Sequence, residues 1–267
     1  MTTRTCTKTG LRLVEAADER GFRVAKDRYG ALSVPQNTIV GPLPITSTTK
    51  ASPDRRGRFD TLGSTIYIAE SSRCAYAEVL VGFRKNRAAI AKAAESIGWT
   101  VDDYIAQVLD DAETNGIDVP WAVSVDWQMD RSIYRIQMPA RGWWVKMDHP
   151  DTLAALERLA PTMAGMTEVL QVLTAGSISG ENRAVTTLLA EVIRQQVLDD
   201  GSEALGISFA SKTLFGRCWA YWDHRFDNGL PPGSNDMRQL ASENVGPDPD
   251  FVHVATHYDL PLVGRHT

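Results

Sequence analysis

Cysteine, long apolar runs, surplus positive charge and phosphate-loop glycines are all scarce in this sequence, and each shortage excludes something. The 267 residues hold three cysteines, Cys6, Cys74 and Cys218. Their odd number and wide separation argue against a disulfide framework and against cysteine-based metal sites, and fit a reducing compartment. No apolar run approaches a membrane span, and the residues after Met1 lack the apolar stretch of a signal peptide. The expectation is a cytoplasmic protein that touches no membrane. Lys and Arg total 28 against 33 Asp and Glu, a net charge of −5, which gives no bulk attraction to nucleic acid. No GxGxxG follows a strand and no Walker motif exists, so a nucleotide would be held without a Rossmann unit. His253 and His257 have the spacing of helical metal ligands. They lack the Glu of the zinc-protease motif and sit in a strand-like stretch, so the expectation is surface or structural histidines and no metal. Internal repeats and low-complexity blocks are absent.

What remains is an ordinary globular composition, 43% hydrophobic and 23% charged, long enough for one large domain. Leu11 to Ala17 reads as one or two helical turns, and Phe22 to Ala25 as a strand. Tyr29 to Pro53 has no period and reads as an irregular surface segment. Ser64 to Ala69 reads as a strand, followed by a helix capped at Ser72. Helices are expected over Arg87–Ile97, from Thr100 to about Thr114, from Asp151 through Leu159, over Thr167–Leu173 and over Asn182–Leu198. In the last of these Val185, Leu188, Leu189, Val192, Ile193 and Val197 recur at three- and four-residue steps. Strands or extended segments are expected at Trp121–Met129 and Ile133–Met138, and strands at Trp143–Met147, Leu205–Ala210, Arg217–Trp222 and Phe251–Thr256. A short helix is expected at Asp236–Ser242. The fold class is α+β, with mixed or antiparallel sheets flanked by helices, and strands from both ends of the chain meeting in one sheet.

The stretch from Arg56 to Glu78 organises the rest. A basic turn, Arg55-Arg56-Gly57-Arg58, leads into the strand and then into a helix carrying Glu78. Cys74, Ala75, Val81 and Gly82 lie three or four residues from Glu78 and share its face, so that carboxylate is flanked by small and apolar groups. Gly57-Arg58-Phe59-Asp60, Tyr67-Ile68-Ala69 and Ala75-Tyr76-Ala77-Glu78-Val79 resemble the first half of a RES domain, a family named for an Arg, a Glu and a Ser. Gly206-Ile207-Ser208-Phe209-Ala210-Ser211, followed by Arg217 to Trp222, resembles its second half. The resemblance spans roughly residues 20 to 225. It implies an ADP-ribosyltransferase-like domain over 1–225, with an inserted helical segment near 86–130 and a C-terminal extension over 226–267.

The same resemblance implies consumption of NAD by cleavage of the nicotinamide–ribose bond, with water or phosphate as acceptor and NAD as substrate, not cofactor. Glu78 would stabilise the oxocarbenium charge on the ribose, as carboxylates do in glycosidases. Arg58 and Arg23 match the family's arginine positions and would grip the diphosphate, with Arg28 the alternative to Arg23. Tyr67 would stack on the nicotinamide or bond a ribose hydroxyl, and Ser211 would bond the nicotinamide amide or orient Glu78. Each has a plainer reading: a solvated loop charge for Arg58, an edge-strand charge for Arg23, a core aromatic for Tyr67, a turn serine for Ser211. Many RES proteins are toxins paired with an Xre-type antitoxin protein, which makes such a partner an expectation here, with self-association left open. Transfer of ADP-ribose to a macromolecule and a catalytically silent nucleotide-binding module are the alternatives.

Overall fold

The computed structural model describes residues 2–34, 56–159 and 172–263. The expected irregular segment before Arg56 and the expected helix over 167–173 fall largely outside them. Among the described residues, nine strands make one sheet. In chain order they are β1 (Thr3–Thr5), β2 (Arg12–Glu15), β3 (Arg20–Lys26), β4 (Thr65–Ala69), β5 (Arg131–Gln137), β6 (Trp143–Lys146), β7 (Gly206–Ala210), β8 (Arg217–Trp222) and β9 (Arg238–Asn244). They lie side by side in the order β1-β2-β6-β7-β8-β4-β3-β5-β9. The β6–β7 pair is parallel and the other pairs are antiparallel. The α+β expectation with a mixed sheet and flanking helices therefore holds, and both ends of the chain supply strands to it. No helix among the described residues is long and apolar enough to cross a membrane.

Two cores lie on the two sides of the sheet. The larger gathers Phe59, Phe209, Cys218 and Trp222 with the buried faces of the helices; the smaller gathers Val14, Ile66, Ile68, Tyr134, Trp144, Trp219 and Tyr221. This double burial explains the misreading of Leu11–Ala17. Leu13 enters one core and Val14 the other. A strand covered on both faces loses its polar–apolar alternation, and so imitates a helical pattern.

The helices that position the crevice follow from local chemistry. Helix α1 (Ser72–Leu80) is capped by Ser71, one residue before the expected Ser72, through the Cys74 amide. Helices α2 (Arg87–Ser96) and α3 (Val101–Asn115) occupy the expected inserted segment and pack on each other. The α3 helix starts at the Thr100 cap with Asp102 and Asp103 in its first turn. Of the segment expected as a strand or extended over Trp121–Met129, the first part is non-helical, with Val123 bridged to Leu262. The second is the short helix α4 (Val125–Met129), because the Ser124 side chain accepts the Trp127 amide hydrogen and opens a helical turn. Helix α5 (Pro150–Leu159) forms as expected, and α6 (Ala175–Ser179) follows. Helix α7 (Arg183–Arg194) is capped by Asn182 and buries Val185, Leu189, Val192 and Ile193 along one face.

The C-terminal segment departs most from expectation. After a short turn of helix, α8 (His224–Asp227), the expected helix at Asp236–Ser242 is the edge strand β9, and the expected strand at Phe251–Thr256 is helix α9 (Pro249–His257). Asp248 caps α9 and Pro249 occupies its first turn, which fixes the helix start whatever the side-chain alternation beyond it. Phe251, Val254 and Ala255 then share a buried face. The α9 helix clamps α1. Phe251 packs on Tyr76 with ring centroids 5.5 Å apart, the Tyr76 hydroxyl donates to Asp248 at 2.7 Å, and Arg73 pairs with Asp250 at 2.8 Å. Residues 226–263 thus brace the helix that carries Glu78.

Candidate functional site

Glu78 projects from α1 toward the sheet, into a crevice of about 260 Å³ whose walls include Phe22, Tyr67, Phe209 and Cys218. Ser211, at the end of β7, is buried and donates its hydroxyl to Glu78 Oε1 at 2.5 Å across 133 positions of sequence. The Ser211 oxygen also contacts the Thr213 hydroxyl at 2.6 Å and accepts the Thr213 amide hydrogen at 3.1 Å. Its hydroxyl is engaged with protein groups, so of its two expected roles the geometry favours orienting the carboxylate.

Arg58 is buried beside the same crevice. Its guanidinium lies over Phe209 at 4.9 Å and over Phe59 at 5.2 Å, and Nη1 donates to the Ser179 carbonyl at 3.4 Å. Burial pulls its pKa down from the arginine value, and Glu78, the strongest opposing charge, pulls it back up. Arg58 and Glu78 therefore act on one another across the site. Glu181 sits near Arg58, with Lys212 at 2.9 Å and Arg183 at 2.6 Å; the Lys212 hydrogen bond first, and then the charges of Arg183 and Arg58, lower its pKa. Three cations thus gather around one acid. Arg183 and Lys212 carried no motif signal; only the fold brings α7 and the β7–β8 turn beside Arg58.

Tyr67 lines the crevice, but its hydroxyl is occupied. It donates to Asp60 Oδ1 at 2.8 Å and accepts the Phe59 amide hydrogen at 2.8 Å. Burial, and then Asp60, push its pKa well above the usual phenol value. The expected bond to a ribose hydroxyl is not available in this arrangement, whereas the ring face remains part of the wall. The hydroxyl instead shapes the loop that holds Arg58. Gly57 is required there, because a Cβ would lie 2.6 Å from the Tyr67 hydroxyl and 2.7 Å from Asp60 Oδ1. The loop is pinned from below by a buried ion pair, Arg56 to Glu191 of α7 at 2.9 Å.

Arg23 is among the residues that line the crevice, but its guanidinium is engaged elsewhere. In β3 the alternation that turns Phe22 and Val24 toward the larger core sends Arg23 to the other face, with Ala31 and Tyr134. There Nη1 donates to the Ala31 carbonyl at 2.8 Å, and burial lowers the pKa to about 10. Of the two expected arginines, Arg23 lines the crevice with its guanidinium held by the Ala31 carbonyl, and Arg58 lies beside it. The fallback, Arg28, lies over the ring of Tyr29 at 4.7 Å, in the turn after β3.

His253 and His257 prove to lie on a helix. The His257 ring packs edge-on against Phe215 at 5.3 Å, and no cluster of three potential metal ligands occurs among the described residues. A second cavity, of about 330 Å³, opens on the opposite side of the sheet beside Ile66, Tyr221 and Met237. It is larger; Arg225 there faces Asp236 at 3.5 Å and Asp223 caps α8, charges paired as those of Arg183 and Lys212 are with Glu181. The smaller crevice, with a carboxylate oriented by a buried hydroxyl and cations alongside, is the better candidate for chemistry. Comparison of the chain with protein-family models, with curated proteins and with solved structures yields no match to any of them.

Proposed function

We propose that this chain is a RES-type enzyme with an ADP-ribosyltransferase-like fold that cleaves the nicotinamide–ribose bond of NAD. The observation that carries the reading is the Ser211–Glu78 hydrogen bond of 2.5 Å, which joins the two halves of the motif and aims one acid into the crevice. In this reading the crevice of about 260 Å³ takes the nicotinamide and its ribose, while the rest of the dinucleotide runs outward over the rim. Arg58, Arg183 and Lys212 face the diphosphate there, Arg58 by its planar fork and Lys212 as a point charge.

The bond-breaking step suits these groups. The C–N electron pair leaves with nicotinamide, which departs neutral from a pyridinium and needs no general acid. The ribose carbon becomes an oxocarbenium ion, and the Glu78 carboxylate, with Oε1 held by Ser211, stabilises that charge. Water or phosphate then adds to the carbon. Apolar walls from Phe22 and Phe209 lower the local dielectric and so strengthen the carboxylate's effect.

Purified protein incubated with NAD, with and without phosphate, is expected to release nicotinamide, read by chromatography. ADP-ribose as co-product identifies hydrolysis, and a phosphorylated ADP-ribose identifies phosphorolysis. Absence of nicotinamide under both conditions rejects the proposal. Ser211→Ala is expected to keep the fold and to lower the release rate about tenfold, through loss of carboxylate orientation. An unchanged rate would show that Glu78 needs no such support.

A further inference from the structure

The cysteines, dispersed in sequence, are not dispersed in space. Cys74 Sγ and Cys218 Sγ lie 3.7 Å apart across 144 positions, and both thiols are free and buried. Cys74 is one helical turn before Glu78 on α1. Cys218 pairs with Ala69 of β4 and Phe209 of β7, and it lines the crevice. We infer that Cys74 and Cys218 constitute a reversible thiol–disulfide site at the base of the crevice, closed by small peroxides. This inference rests on the placement of the two sulfurs and is independent of the NAD reading.

The contact already brings the sulfurs together, and side-chain rotation with a small helix shift closes it to the bond length of about 2.05 Å. The two thiols are also unlike. The hydrogen bond with Cys218 draws the Cys74 pKa below the ordinary thiol value, whereas that bond and burial raise Cys218. Cys218 is the sulfur that lines the crevice, and Cys74 the readier thiolate. The Cys74 thiolate attacks one oxygen of hydrogen peroxide, the O–O bond breaks, and the departing hydroxide takes the thiol proton as water. Cys74 is then a sulfenic acid. Cys218 sulfur attacks the Cys74 sulfur, the S–O bond breaks, and hydroxide leaves with the Cys218 proton as a second water. Two thiols are oxidised and one peroxide is reduced. The product ties α1 to β8 on the same helix face that presents Glu78.

The test treats the folded protein with stoichiometric hydrogen peroxide and follows intact mass, thiol titration and a non-reducing peptide map. The expected result is a loss of about 2 Da, two hydrogens per disulfide, with a Cys74–Cys218 linked peptide, Cys6 still reactive after unfolding, and full reversal by dithiothreitol. Cys6→Ala is expected to behave identically. Cys218→Ser is expected to abolish the mass loss and to leave Cys74 trapped as sulfenic or sulfinic acid. Retention of all thiols in the folded protein, under conditions that oxidise the unfolded chain, overturns the inference. So does a linkage through Cys6, or an undiminished mass loss in a folded Cys218→Ser protein.

Discussion

Glu78→Gln is expected to release nicotinamide from NAD about 10²- to 10³-fold more slowly than the wild type, the range seen when one preorganised electrostatic partner is removed from a site. Gln keeps the size of Glu and can still accept a hydrogen bond from Ser211 through its amide oxygen, so packing of α1 is preserved. What it lacks is the negative charge that would face the oxocarbenium ion. The loss should appear in kcat far more than in KM, because the charge acts in the transition state and contributes little to ground-state binding. Initial rates over a range of NAD concentrations, with circular dichroism to confirm folding, make the measurement. Undiminished turnover by a folded Glu78→Gln protein would remove Glu78 from the mechanism.

Glu191→Ala is expected to destabilise the protein by roughly 3–5 kcal/mol and to lower Tm by about 10 °C. The Arg56 and Glu191 side chains are 3% and 6% exposed and their charged atoms lie 2.9 Å apart. Truncating the acid leaves a guanidinium in a low-dielectric core without its counter-charge, and such a group is costly to keep. The double variant Arg56→Met/Glu191→Leu should recover most of the loss, since apolar residues of similar volume often replace a buried pair without penalty. A thermal melt of the three proteins decides it. Equal melting of Glu191→Ala and wild type would mean that the pair contributes nothing.

Legibility in the sequence tracked how local the determining interaction was. α7 was readable because its period is long and its cap, Asn182, is adjacent. Glu78 and Ser211 were readable as residues, and the structure joins them, but the sequence left open whether Ser211 would face the acid or a ligand. The 2.5 Å contact depends on how β7 meets α1, which no local pattern encodes. Arg23 illustrates a related point. Motif position puts it at the site, and it does line the crevice, whereas the two-residue period of β3 turns its guanidinium to the opposite face. Arg56 belongs to the basic turn in sequence, and its partner 135 positions away makes it a core residue. The strand–helix exchanges at the C-terminus arose where short apolar runs fit either period and the cap at Asp248 decided the outcome.

The brace of α9 against α1 means that the carboxylate helix is held between the sheet on one side and the last described helix on the other. The acid of the crevice thus comes from the first third of the sequence, the hydroxyl that holds it from the last quarter, and its backing from beyond both. A nascent polypeptide emerging from the ribosome cannot assemble this centre until α9 has been synthesised. Whatever the centre does, a product of translation truncated before Pro249 lacks that backing.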